Sequence, residues 1–198
     1  MMLTVVIDQP TKEQLDRLKF ELKSIEHTLL TCSAWEHAIK VADSDYITFI
    51  ENDSDISDGF FKDNLHLFKS KPLFRKMAMI SAAVDESGTI NYGYFFSNKT
   101  IFPSHLPSSS RPYAIQAGFL GGSIVRTRVA RSVGYKWLNK PVIDSANMSL
   151  AFWRRGNMCY INPKTIYMTP SDGVSVPRDY EGVISPEVME VFKRELVK

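Results

Sequence analysis

A run of strand-forming residues, Tyr46-Ile47-Thr48-Phe49-Ile50, leads without a break into Glu51-Asn52-Asp53-Ser54-Asp55. No other junction narrows the fold of this chain as much. The β-branched and aromatic residues of the first half read as a buried strand. The second half places three carboxylates within five residues at the strand's carboxyl end, which is where open α/β sheets bind ligands. Carboxylates this close repel one another, so they are either solvated or neutralised by a cation. Hard cations such as Mg²⁺ or Mn²⁺ take such oxygen ligands and keep positions open for substrate phosphates. Read locally, the same residues also fit a polar turn opening the next helix, with Ser57 or Asp58 as N-cap.

The elements around this junction alternate. Leu3-Thr4-Val5-Val6-Ile7 reads as a first buried strand. Thr11 caps a helix to about Ile25, with Gln14 three residues on and Leu15, Leu18 and Leu22 at helical spacing. Thr28 to Thr31 reads as a short strand, and Ser33 as the cap of a helix reaching Ala42. This β-α-β-α-β order predicts a mostly parallel central sheet flanked by helices. Further along, the sequence predicts a helix over 59–70, a strand over 77–84 and a hairpin into 90–96. A proline- and serine-rich loop follows over 103–112, and then an apolar segment over 115–125 broken by glycines. A short helix over 127–133 ends at Gly134, and a helix opened by Asp144 ends at Gly156. Met158–Ile161 and Thr165–Met168 read as two short strands around Pro163, and the tail from Pro186 as a final helix. Residues 1–198 read as one domain, its parts being 1–100, 101–180 and a C-terminal helix over 181–198.

Charge is unevenly distributed. From Ser87 to Ser171 there are ten basic residues and one acid, Asp144, a balance of +9 in a chain whose net charge is +2. Such segregation suits a surface for an anion: a diphosphate, a phosphorylated acceptor or nucleic acid. The same side chains would equally scatter over several faces. No apolar run approaches the roughly 20 residues that span a bilayer, and the start shows no basic region followed by an apolar core, so a cytoplasmic protein is expected. Cys32 and Cys159 lack metal or redox spacing and read as unpaired.

In its order of segments the chain resembles family-2-type glycosyltransferases with a GT-A fold. Residues 42–53 resemble the helix end, strand and Asp-x-Asp-type metal motif, and 56–61 the segment that follows. Residues 118–134 resemble the glycine-containing acceptor-side strand with its Arg-bearing helix. Residues 144–163 resemble the acidic-residue helix with its Arg and Gly end and the later proline. The resemblance implies transfer of a sugar from a nucleotide sugar, a UDP-sugar in the first instance, to a hydroxyl acceptor, with inversion, helped by Mn²⁺ or Mg²⁺. On it, Asp53 is the main metal ligand, Glu51 stands where the family usually has Asp, and Asp55 is a further candidate. Asp8, Asn52 and Arg126 are donor-side candidates. Gly121, Gly122, Arg154 and Arg155 are acceptor-side candidates, and Asp144 is the general base, a role compatible with that of a helix N-cap. The acceptor is a glycan or another polyanion, nucleic acid with hydroxymethylated bases among them.

The sequence departs from the family pattern at three places. Leu30-Thr31-Cys32-Ser33 carries no acid where the family reads the nucleotide base. Glu36 and Ala38 replace an Asn and a Gly, and Thr169 fills a slot that many members give to a metal-binding His, with Ser171 or Asp172 as substitutes. These departures keep open a GT-A-like module without turnover, and the basic stretch keeps open a polyanion-binding protein. A nucleotidyltransferase is disfavoured, because Asp8-Gln9-Pro10-Thr11-Lys12 is not a glycine-rich phosphate loop.

Overall fold

The computed structural model describes residues 2–70, 76–86, 88–97, 100–134 and 141–169. The expected helix over 181–198 and residues Trp137, Ser171 and Asp172 lie outside them. The first half follows the predicted alternation: β1 (Leu3–Ile7), α1 (Lys12–Leu22), β2 (His27–Thr31), α2 (Trp35–Val41) and β3 (Tyr46–Ile50). β1 and β3 are buried along their whole length, as continuous apolar runs in a parallel sheet must be. β2 is half-exposed at the sheet edge.

Next come β4 (Asp55–Ile56), α3 (Phe60–Ser70), β5 (Met77–Glu86), β6 (Thr89–Asn91), β7 (Tyr94–Ser97), β8 (Thr100–Pro103) and β9 (Tyr113–Ile115). β10 (Ser123–Arg126), α4 (Thr127–Val133), α5 (Pro141–Arg154) and β11 (Met158–Thr169) complete the described part. The main sheet runs β2-β1-β3-β10-β5-β11-β4, with β6 added to β5 and β9 to β11. β10 is antiparallel to both β3 and β5, whereas β1, β2 and β3 are mutually parallel and β11 is parallel to β5. Five long strands therefore point one way, and their carboxyl ends form one rim. β7 and β8 form a separate small antiparallel sheet.

Four local expectations are corrected. α1 buries Gln14, Leu18 and Leu22, an i, i+4, i+8 stripe, and leaves Leu15 half-exposed. Thr11 caps it as expected, its Oγ1 accepting the Gln14 N–H at 3.1 Å. α2 begins after Ala34 without a side-chain cap, so Ser33 does not cap it. Asp144 lies in the first turn of α5, three residues past its start, and is not its N-cap. The two strands expected around Pro163 are one strand, β11, whose register against β5 shifts between Asn162 and Ile166. Pro163 cannot donate to the ladder, and a bulge absorbs the interruption. Asn64 of α3 fastens it, its Oδ1 accepting from Asn162 Nδ2 at 2.9 Å and Thr165 Oγ1 at 3.3 Å.

The tightest backbone approach is at Gly122. Its φ is +67°, and an added Cβ would fall 2.3 Å from the Tyr167 ring. Its N–H donates to Phe49 O at 2.9 Å and its carbonyl accepts from Ala82 N–H at 3.2 Å, so the backbone cannot retreat. Gly122→Ala is expected to lose more than about 2 kcal/mol. Gly88→Ala, with φ +89° but open space around it, is expected to lose about 1 kcal/mol. Urea midpoints for the two variants check both the order and the gap.

Candidate functional site

At the carboxyl end of β3 the chain turns sharply through Glu51-Asn52-Asp53-Ser54 before entering β4. Four hydrogen bonds hold the turn. Gln14 Nε2 donates to both Glu51 O and Ser54 O at 2.8 Å. Ser54 Oγ donates to Glu51 O at 2.6 Å, and the Glu51 N–H donates to Tyr167 Oη at 2.8 Å. Held this way, Asp53 takes φ +57°, a left-handed conformation that Asp tolerates better than most residues. Its carboxylate is exposed at the apex and makes no hydrogen bond or ion pair among the described residues.

Glu51 is half-buried below the apex. Burial pushes its carboxyl up to about 7, against a smaller opposing effect from the hydrogen bond with Tyr167. Space for this side chain comes from Gly121, where an added Cβ would lie 3.3 Å from Glu51 Cδ and 2.6 Å from the Phe119 ring. Tyr167 is fully buried, and burial raises its phenol, with the Glu51 charge adding to the effect.

Across the rim, α5 is fastened to the glycine-bearing segment. Ser145 Oγ accepts the Leu120 N–H at 2.9 Å, Ser149 Oγ accepts the Gly118 N–H at 3.3 Å, and Trp153 Nε1 donates to Gln116 O at 3.0 Å. These contacts fix the direction of the helix. Asp144, beside Ser145 and 2 % exposed, stands at the rim end, next to the segment that leads into Gly121 and Glu51. Asp8 follows β1, whose Ile7 is level with Ile50 of β3, so it too stands on the rim. Thr169 ends β11 opposite Glu86. It is buried, and its hydroxyl has no hydrogen-bond partner among the described residues.

No protein-family model matches the sequence, and no curated protein does. Solved structures do. The structure of GalNAc-T7 with UDP, GalNAc and Mn²⁺ superposes with a TM-score of 0.58 at 8 % identity, over 98 % of this chain and 48 % of that one. S. aureus TarS superposes at 0.51 and 11 % identity, over 100 % of this chain and 39 % of TarS. TarS 1–349 with UDP-GlcNAc superposes at 0.50 and 10 % identity, over 100 % of this chain and 66 % of that one. The fold is GT-A-like. This chain spans less than half the length of the first two of these glycosyltransferases.

On this GT-A-like frame the rim gathers Asp8, Glu51, Asn52, Asp53, Gly121, Gly122 and Asp144. Asp55 shares a cavity with Asp53 and Arg17; its Oδ1 accepts the Ile56 N–H at 2.8 Å and lies 3.8 Å from Arg17 Nε. Three expected residues are not brought to the rim. Arg126 pairs with Tyr46 at the amino end of β3, and its Nε donates to Met77 O at 2.7 Å. Because β10 runs antiparallel to β3, its Arg end points away from Glu51. Arg154 and Arg155 lie ten and eleven residues beyond Asp144 in sequence, about 15 Å along α5. Sequence reasoning missed Gln14 as a clamp and Tyr167 as an anchor. Gln14 carried a signal, since a Gln on the buried stripe of a helix needs polar partners. Tyr167 carried none.

The donor set suits a hard divalent cation held by one or two carboxylates together with substrate phosphates. Among the described residues no three of His, Cys, Asp and Glu gather into an all-protein cage. No helix among them is long and apolar enough to cross a membrane.

Gln14→Leu strips donors from two carbonyls and is expected to cost about 1–3 kcal/mol, read as a fall in the urea midpoint. Glu51 gives a pH signature in metal-free protein. Its folded-state pKa, about 7, lies above the ordinary glutamate value of 4.5, so the folded protein holds a proton that the unfolded chain has released. The associated stability is present below pH 4.5 and is lost as pH rises to about 7. In EDTA, the melting temperature of the native protein relative to Glu51→Gln is expected to fall across that window.

Proposed function

We propose that the chain is a nucleotide-sugar-dependent glycosyltransferase domain, formed by residues 1–198 as one unit. The observation that carries this reading is the clamped acidic turn at the carboxyl end of β3, which presents Asp53 outward from a GT-A-like sheet. Likeness to structures holding UDP, UDP-GlcNAc and Mn²⁺ supports the donor class.

In the proposed reaction an acceptor hydroxyl oxygen attacks the anomeric carbon of the donor from the face opposite the diphosphate. The new C–O bond forms as the bond to the diphosphate oxygen breaks, so the configuration inverts. Asp144 takes the hydroxyl proton as attack proceeds. Its burial keeps bulk water from competing, and the Ser145–Leu120 contact sets its place relative to Gly121. Gly121 and Gly122, both buried, serve the site by leaving room for the Glu51 and Tyr167 side chains rather than by facing the acceptor. Asp8 and Asn52 lie where a nucleoside and its diphosphate would run along the rim. Asp53, with Glu51 ionised, would hold Mn²⁺ or Mg²⁺, which when bound offsets the charge developing on the leaving diphosphate. Asp55, drawn to Arg17, is left the lesser candidate.

A thermal-shift panel of UDP-, GDP-, CMP- and dTDP-sugars, each with and without Mn²⁺, tests this reading. One nucleotide class, UDP first, is expected to raise the melting temperature only with metal, and Asp53→Asn is expected to abolish the rise. Asp144→Asn is expected to keep the rise but slow sugar transfer by about 10²–10⁴-fold. A panel without any shift would overturn the proposal.

A further inference from the structure

Arg126, Arg128 and Arg131 are not gathered at the candidate site. A groove of about 1050 Å³ opens at the amino end of β3, lined by Arg126, Arg128, Arg131, Ser44, Ser132 and Asn157. Tyr46, also in its wall, is five residues from Glu51, so the groove lies about 17 Å along β3 from the acidic turn.

Two of these guanidinium groups are fixed by neutral partners. Arg126 donates to Met77 O and, at 3.4 Å, to Tyr46 Oη, with its guanidinium over the rings of Phe68 at 5.0 Å and Tyr46 at 5.6 Å. Arg131 donates to Ile39 O at 2.8 Å and to Ala42 O. Arg128 is exposed. None of the three forms an ion pair among the described residues, where the ion pairs belong to Arg17, Lys19 and Lys40. Asp45 is the acid in the wall, and its Oδ2 accepts the Met2 N–H at 3.1 Å. Arg126 and Arg131 are thus positioned before any ligand arrives, and the three guanidinium groups outweigh the one carboxylate in the wall.

We propose that this groove binds the phosphate backbone of a single-stranded nucleic acid. Guanidinium forks match phosphate oxygens in geometry as well as charge. The concave shape suits an extended chain better than a bilayer surface. Val129 is the one aliphatic side chain in the lining, short of the apolar centre that a folded protein partner would need. Tyr46 is buried and offers no ring face for a base, so binding would follow the backbone and tolerate any sequence. The inference stands whether or not the rim transfers sugars.

The test is fluorescence anisotropy of a labelled oligothymidylate of about 20 nucleotides, in EDTA, with Arg128→Glu and Lys62→Glu as variants. Lys62 lies on α3 beside a different cavity, so the second variant makes the same charge change elsewhere. Arg126 and Arg131 are spared because their backbone contacts support the fold. Native protein is expected to bind with a log–log salt slope near −2, from about 0.7 per phosphate contact and three contacts. Arg128→Glu is expected to weaken binding roughly tenfold at an unchanged melting temperature, and Lys62→Glu to leave it unaltered. No binding at about 50 mM salt, or equal loss in the two variants, would overturn the proposal. Retention on phosphatidylserine vesicles without binding to the oligonucleotide would overturn it too, in favour of a membrane surface.

Discussion

One carboxamide ties the candidate site to the fold. Gln14 sits on the buried stripe of α1, where Leu18 and Leu22 follow at successive four-residue steps, and spends its amide hydrogens on the two carbonyls that bracket Asn52-Asp53. A leucine there would pack equally well along the helix but would leave both carbonyls short of a donor. The turn could then relax out of the left-handed conformation at Asp53, which costs of order 1–3 kcal/mol unless the surroundings impose it. Tyr167 supplies the second constraint from β11. The turn is thus set jointly by α1, β3 and β11, from positions 37 and 116 residues away from Glu51.

The same arrangement explains the glycines. Tyr167 reaches Glu51 because Gly122 brings backbone close to its ring, and Glu51 finds room because Gly121 has no side chain. These contacts place a carboxylate where water is scarce, which is why its proton is held toward neutrality. A half-buried Glu with an elevated pKa does not stabilise a metal-free protein near pH 7. A bound cation, which favours the charged form, would reverse that balance.

Much of the frame was legible in the sequence because its signals are local. Continuous apolar runs marked β1 and β3, Thr11 marked the start of α1, and Gly134 marked the end of α4. The acidic turn was legible for the same reason. What was not legible depends on contacts distant in sequence. Pro163 looked like a gap between strands, and only Asn64 of α3 shows that the strand continues through a bulge. Leu15 looked like a core residue and Gln14 a cap partner, and the acidic turn packed against α1 reverses those roles.

The arginines show a different limit. Grouping Arg126, Arg154 and Arg155 with Asp144 treats closeness in sequence as closeness in space. In this fold β10 runs against its neighbours and α5 runs down from the rim, so each carries its charges to the far end. A carboxylate at one end of a 14-residue helix and guanidiniums at the other are about 15 Å apart, beyond a Debye length of about 8–10 Å at ordinary ionic strength. Arg126, Arg128 and Arg131 form a second electrostatic feature at the amino end of β3, and a ligand drawn to them meets the protein on a face separate from the acidic rim.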